Sequence, residues 1–320
     1  MERYHRGSIA VQRRVGVREE AEHVGRAIGA DIREVAAAFL AQQPHLVVGA
    51  ADGAGRLWAS LLTGPPGFVR ADGRERITVT GGLADGDPLA GALSTEGTRV
   101  GTIALDPRTR RRMRLNGTLS VRPGGFAVRA EEVFANCPKY LQKRQPLEVV
   151  AAGTGVVCRG EVLTPGQQRA VRAADTFFVA TVATVPEEGG VEGGGVEGGG
   201  AGGGGVSGAV DASHRGGMPG FVETPSPTEL LWPDYAGNAM FLTLGNLATD
   251  GRAGLLFPVW ESGAVLQLSG RARTEFGDGG ERWVRFRVEE VVESLHPGRL
   301  RWSAPEYSPA NPPHAGSTTR

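Results

Sequence analysis

A hexapeptide occurs twice in this chain at a fixed interval, and that interval limits what the rest can fold into. Gly64-Pro65-Pro66-Gly67-Phe68-Val69 returns as Gly217-Met218-Pro219-Gly220-Phe221-Val222, an offset of 153 (217 − 64). Arg99-Val100-Gly101 and Arg252-Ala253-Gly254 keep that offset, as do Asn116-Gly117 and Ser269-Gly270. Near the end of each series Glu131-Glu132 matches Glu289-Glu290. A constant offset across several motifs predicts an internal duplication of one structural unit.

Within each series the pattern is that of short strands. In the first, Leu46–Ala50, Leu57–Leu62, Ile77–Thr80, Val100–Leu105, Met113–Val121 and Phe126–Val133 are apolar or β-branched runs. Asp52-Gly53-Ala54-Gly55, Asp106-Pro107 and Arg122-Pro123-Gly124-Gly125 separate them as turns. The second series has strand signals at Phe177–Val182, Ala209–Ser213, Glu229–Trp232, Gly254–Val259, Val265–Thr274 and Val284–Val292, preceded by a helical stretch from Pro165 to Ala174. Even spacing with little helix between suggests a small antiparallel barrel. Before the first series, Val17–Gln43 carries a helical stripe broken at Gly29-Ala30-Asp31 and ended by Pro44, with Asp31 a candidate N-cap. Residues 1–16 are polar and without clear period.

The expected organisation is therefore a mainly β protein with flanking helices. It has an N-terminal helical segment (1–45), a first unit (46–145), a second unit (165–295) and a Pro-, Ser- and Ala-rich disordered tail (296–320). Val47-Val48 matches Val179-Ala180 at an offset of only 132, so 21 residues are extra in the second unit. They are assigned to the tandem glycine repeat at 189–208, which cannot bury a core and reads as a flexible hairpin loop.

The 35 basic and 35 acidic residues cancel, which gives no support for nucleic acid or an anionic membrane as the main partner. Two cysteines, Cys137 and Cys158, form neither a CxxC motif nor a disulfide framework. The N-terminus leads into no apolar run, and no stretch approaches a membrane span. These features read as a soluble, cytoplasmic protein. The histidines form no HxH or HExxH pattern, so no metal site is expected.

The stretch that differs between the two units is the candidate site. Where the second has Arg215-Gly216-Gly217 the first has Leu62-Thr63-Gly64, so the arginine is not needed to build the turn. Ser213-His214-Arg215-Gly216 reads as a strand end and basic turn suited to an anion. Asn238, Thr243, Gly245 and Asn246 lie on or around a short helix expected from about Ala239, and the corresponding stretch Asp85–Leu93 lacks these polar groups. Asn136-Cys137-Pro138-Lys139-Tyr140-Leu141-Gln142-Lys143-Arg144 reads as a helix capped by Asn136, with Pro138 in its first turn and cations nearby.

Four segments together resemble the pyridoxamine 5'-phosphate oxidase-like, FMN-binding split-barrel family, in particular bacterial members with two units. They are Ala50–Val69, Asn136–Gln142, His214–Val222 and Trp232–Leu247. The resemblance implies two split β-barrels and FMN as cofactor. Arg215 and Asn246 would then sit at the flavin phosphate, Ser213 and His214 near the isoalloxazine ring, and Asn238 and Thr243 along the site. It implies an FMN-dependent oxidoreductase using a small-molecule substrate or electron donor. Two units in one chain would form an internal pseudo-dimer, with or without a homodimer, holding one FMN. Two other readings stay open: a non-catalytic flavin- or haem-binding module, and a deazaflavin-dependent reductase.

Overall fold

A computed structural model of the chain describes residues 3–149, 156–184, 208–295 and 300–313. Three helices lead in: α1 (Arg6–Val15), α2 (Arg18–Gly25) and α3 (Glu34–Ala41). The first strands are β1 (His45–Ala51), β2 (Leu57–Thr63), β3 (Val69–Asp72), β4 (Arg76–Thr80), β5 (Arg99–Asp106), β6 (Arg111–Arg122) and β7 (Gly125–Ala135). Two short strands follow, β8 (Pro146–Val149) and β9 (Val157–Gly160), and then α4 (Pro165–Ala173). The second series is β10 (Thr176–Thr184), β11 (Gly208–Gly216), β12 (Glu223–Ser226) and β13 (Glu229–Pro233). After α5 (Leu242–Leu247) come β14 (Arg252–Pro258), β15 (Val265–Phe276), β16 (Arg282–Ser294) and β17 (Leu300–Trp302).

Most of the strands form two antiparallel sheets with one path, and β17 and β8 pair as a third, two-stranded sheet. The first runs β2-β1-β5-β6-β7-β4-β3 and the second β11-β10-β14-β15-β16-β13-β12, with β9 added beside β16. Among the described residues no pairing joins the two ends of either path, so each sheet is open rather than a closed barrel. The match extends to irregularities. One bulge falls between Asn116 and Gly117 of β6 and the other between Ser269 and Gly270 of β15, leaving Glu131 and Glu289 as the extra residues opposite. Register also corrects the first-strand offset. Val48 pairs with Ser60, and Val179 pairs with Ser213, which puts the offset at 131 rather than 132.

Repetition of the Gly-x-Pro-Gly-Phe-Val motif has a steric cause. A Cβ on Gly64 would lie 2.5 Å from the Phe68 ring, and one on Gly217 2.6 Å from the Phe221 ring. Glycine lets each phenylalanine fold back over its turn into the core. Each sheet covers its own core, which includes Trp58, Ile77 and Val128 in the first and Phe177, Trp232 and Phe286 in the second. Burying each of these aromatics contributes roughly 1.5–3 kcal/mol.

The two sheets meet through a third cluster, with Val47, Ala59 and Ile103 against Phe178, Ala212 and Leu256. Contact is close because Gly101 and Gly254 lack side chains. A Cβ on Gly101 would strike the Asp211–Ala212 backbone at 2.6–2.7 Å, and one on Gly254 the Leu57–Trp58 backbone at 2.5–2.7 Å. Those two contacts are related by the 153-residue offset with the units exchanged, so the sheets pack about an approximate two-fold axis.

Several local expectations differ. Residues 6–15 are helical, and α1 buries Ile9 and Val11 together with the small and polar Gly7, Ser8 and Gln12. Ser8 and Gln12 are buried, and the Gln12 side-chain amide donates to the Met240 carbonyl at 2.9 Å. Arg33, not Asp31, stands at the N-cap of α3, while Asp31 pairs with Arg74. Part of the expected disordered tail is ordered: β17 pairs with β8, and Trp302 is buried edge-on against His45 and Trp260. The glycine repeat lies outside the described residues up to residue 207. No described helix is long and apolar enough to cross a membrane.

Candidate functional site

A cleft opens between the sheets at the exit of β11. One wall comes from the first sheet: Arg112 and Arg114 on β6, then Asn136, Cys137, Lys139 and Tyr140 beyond β7. The other comes from the second: Ser213–Gly216 on β11, Phe221, and 233–235 and 237–244 between β13 and α5. The cavity volume of the cleft is about 100 Å³, the rest of it being open to solvent.

Strand alternation builds the cationic wall. Arg112, Arg114 and Asn116 occupy one face of β6 while Met113 and Leu115 enter the first core from the other. Arg114 is buried, donating to Asp211 at 2.9 Å and to the Ser213 hydroxyl at 2.7 Å. Arg112 donates to Nδ1 of His214 and to the Cys137 carbonyl, each at 2.6 Å, and has no carboxylate partner among the described residues. Arg215 pairs with Asp234 at 2.8 Å, and Asp234 also takes Arg282 at 3.0 Å. The Nε–H groups of Arg112, Arg114 and Arg215 are all buried without a partner.

The electrostatics follow. Burial, with Arg114 and Arg215 close by, pushes the Arg112 guanidinium down to about 9, so it keeps its charge at neutral pH. Burial also lowers Arg114, against the pull of Asp211. His214 lies well below the usual histidine range because it is buried and then surrounded by Arg112, Arg215 and Arg114. It is a neutral imidazole whose Nδ1 accepts from Arg112.

Of the residues singled out in the sequence, Ser213, His214, Arg215, Gly216, Asn238 and Thr243 all line this cleft. His214 and Arg215 sit within β11, paired with Phe178 and Phe177, rather than in a turn. Gly216 has a steric role, since a Cβ there would lie 2.0 Å from the Tyr140 carbonyl oxygen. The short helix begins at Leu242, not Ala239, because Ala239 and Phe241 take left-handed backbone (φ 59° and 54°). Gly245 and Asn246 do not reach the cleft. Gly245 packs on α1, where a Cβ would meet Ser8 at 2.3–2.5 Å, and Asn246 donates to Thr181 at 3.0 Å. The expected helix at Asn136–Arg144 is instead an extended strap with Tyr140 at φ 64°. Sequence reasoning missed Arg112, Arg114, Asp211 and Asp234. Their signal was the Arg-x-Arg-x-Asn alternation at 112–116, which reads as an exposed face until the second sheet is laid over it.

Among the described residues no group of three or more His, Cys, Asp or Glu is placed to hold a metal ion. No family model matches the chain, and no curated protein matches it. Among solved structures one match is a tagged single-residue variant of HupZ from Group A Streptococcus. It has a TM-score of 0.28 and 11% identity, over 41% of this chain and 98% of that one. At that level of likeness the chemistry of the cleft rests on its own residues.

Proposed function

We propose that the cleft binds FMN and that the chain is an FMN-dependent oxidoreductase built from two copies of one split-barrel unit. The observation that carries this reading is the gathering of Arg112, Arg114 and Arg215 on one cleft, Arg112 having no carboxylate partner among the described residues. Buried charged donors without partners are costly, and a phosphate offers the acceptors they lack. Four cations (Arg112, Arg114, Lys139, Arg215) and one carboxylate (Asp234) line the cleft, with Asp211 paired to Arg114 and Arg282 to Asp234 behind the lining. That surplus suits a phosphate monoester dianion.

The rest of the lining fits the other end of a flavin. Phe221, Tyr235, Met240, Phe241 and Leu244 give an apolar and aromatic surface for a ring, with Ser213, Asn238 and Thr243 as polar groups beside it. Bound FMN would supply the redox chemistry. The residues of the cleft hold and orient it, keep water from the ring, and present a neutral His214. Because both walls come from one chain, the reading needs no second copy. The matching strand paths, bulges and inter-sheet glycine contacts support duplication and an internal pseudo-dimer.

The test is titration of the purified chain with FMN, haem and a deazaflavin, followed by absorbance and by reduction with a nicotinamide donor. One FMN per chain, reduced at a catalytic rate, is the expected result. Absence of flavin binding overturns the reading. Haem bound in its place selects the non-catalytic module, and deazaflavin the reductase.

A further inference from the structure

The strap Asn136–Gln145 supplies four residues of the cleft and is held there through side chains, Arg112 donating to the Cys137 carbonyl and Arg110 to that of Leu141. Among the described residues, no backbone N–H from Cys137 to Gln142 donates a hydrogen bond. Tyr140 stands in left-handed backbone, which a non-glycine residue holds only when its surroundings impose it. Its ring lies 5.1 Å from that of Tyr235 across the cleft, and its hydroxyl donates to the Ala236 carbonyl at 2.9 Å.

What imposes this conformation lies just downstream. Gln142 is buried, and its amide nitrogen lies 3.1 Å from the Gly217 carbonyl, 3.2 Å from that of Tyr140 and 3.4 Å from that of Asp175. Its oxygen accepts from the Ser308 backbone N–H at 2.7 Å and from the Asn311 side chain at 3.1 Å. The C-terminal segment then zips along the strap. Lys143 and Glu306 exchange backbone hydrogen bonds at 2.9 Å each, Ser303 N–H donates to the Gln145 carbonyl at 2.9 Å, and Arg144 donates to the Ser303 carbonyl at 2.9 Å. Arg144 also pairs with buried Asp175 at 2.6 Å.

We propose that Gln142 and the C-terminal segment 303–311 are positioning elements of the cleft, fixing the strap so that Cys137, Lys139 and Tyr140 form its first-sheet wall. Their effect on the cofactor rests on the FMN reading above; their effect on the strap does not. Gln142 bonds to three pieces at one point: the strap, the turns at Asp175 and Gly217, and the tail. Without it, the left-handed turn at Tyr140 loses the contact nearest in sequence, and the wall opens locally while both sheets stay folded.

Cys137 on the strap reports this directly. In a full-length Cys158→Ser background, Gln142→Leu and, separately, Ser308→Pro are compared for the rate of Cys137 alkylation by a maleimide. FMN affinity and melting temperature are measured in parallel. Ser308→Pro removes the tail's N–H to Gln142, together with the hydroxyl that accepts from the Ala310 N–H, and leaves Gln142 in place, so it keeps the test usable if Gln142→Leu fails to fold. The expected result is a rate at least about tenfold faster in both variants, with a cooperative melt retained. FMN affinity should fall by a similar factor. An unchanged alkylation rate in the folded variants overturns the proposal. Faster alkylation with no FMN binding in any form leaves the latch standing and removes the flavin reading instead.

Discussion

Arg112 gives the sharpest test of the cleft, because its stability and binding effects should separate. In the ligand-free chain it is a cation beside Arg114 and Arg215 with no carboxylate of its own. Depression from 12.5 to about 9 corresponds to a cost on the order of 5 kcal/mol for carrying that charge. Arg112→Met keeps much of the side-chain bulk and removes the charge. It also strips a donor from His214 Nδ1 and from the Cys137 carbonyl, each loss worth about 1–3 kcal/mol. Those terms oppose the relief of repulsion, so the net stability change should be small.

Binding has no such compensation. One charge-assisted hydrogen bond to phosphate is worth about 1.5–3 kcal/mol, which is roughly a 10- to 100-fold rise in Kd for FMN. Flavin fluorescence quenching gives Kd, and urea unfolding of the ligand-free protein gives stability. An unchanged Kd refutes the anion-site argument. A stability loss of about 3 kcal/mol or more would instead make Arg112 a structural strut.

Three other substitutions probe separate parts of the structure. Asp234→Asn frees Arg215 and Arg282 from their shared carboxylate, so anion affinity should rise several-fold, measured with FMN or with inorganic phosphate by thermal shift. Gly245→Ala drives a methyl into the Ser8 backbone at 2.5 Å, so unfolding in urea should show a loss of about 2 kcal/mol or more, with α1 displaced. His45 is buried with both ring nitrogens unpartnered, and burial lowers it to about 4. Between about 6.5 and 4 the unfolded chain therefore binds the proton more readily, and stability falls as pH drops through that window, by about 3 kcal/mol from this group. His45→Phe should flatten that fall and raise stability at pH 7, as followed by urea unfolding at pH 7 and pH 4.5.

The parts of this fold legible in the sequence are those set by local chemistry. Gly64 and Gly217 are each fixed by the ring four residues on, so the same motif is readable at both places in the sequence. The same holds for α4, where Thr164 and Gln167 form a reciprocal capping box. Illegible parts depend on distant partners. Helix α1 buries Gly7 and Ser8 against α5 and Gln12 against the Met240 carbonyl, and its buried apolar residues Ile9 and Val11, two apart, do not mark a helical period. The strap looks like a capped helix because Asn136 and Pro138 suit one, but Gln142 and Arg144 bond to segments 31 residues and more away. Arg112 and Arg114 gain meaning only when β11 is laid across β6.

The two-fold packing also explains why only one cleft should be competent. Arg114 meets Ser213 across the sheets, and the 153-residue offset maps that pair onto Gln267 and Ser60, which also meet, at 2.9 Å. At the second position a neutral amide replaces the guanidinium, and Asp87 fills the place beside it. Asp87 accepts from Ser60 at 2.7 Å, from the Leu89 N–H at 2.8 Å and from Gln267 at 3.2 Å. Burial raises the Asp87 carboxyl, so any charge it carries there is unfavourable and opposes an anion. The same frame thus presents a cationic cleft at one end and a sealed, acid-filled contact at the other. One anionic ligand per chain follows from that difference, and a second equivalent bound at saturation would contradict it.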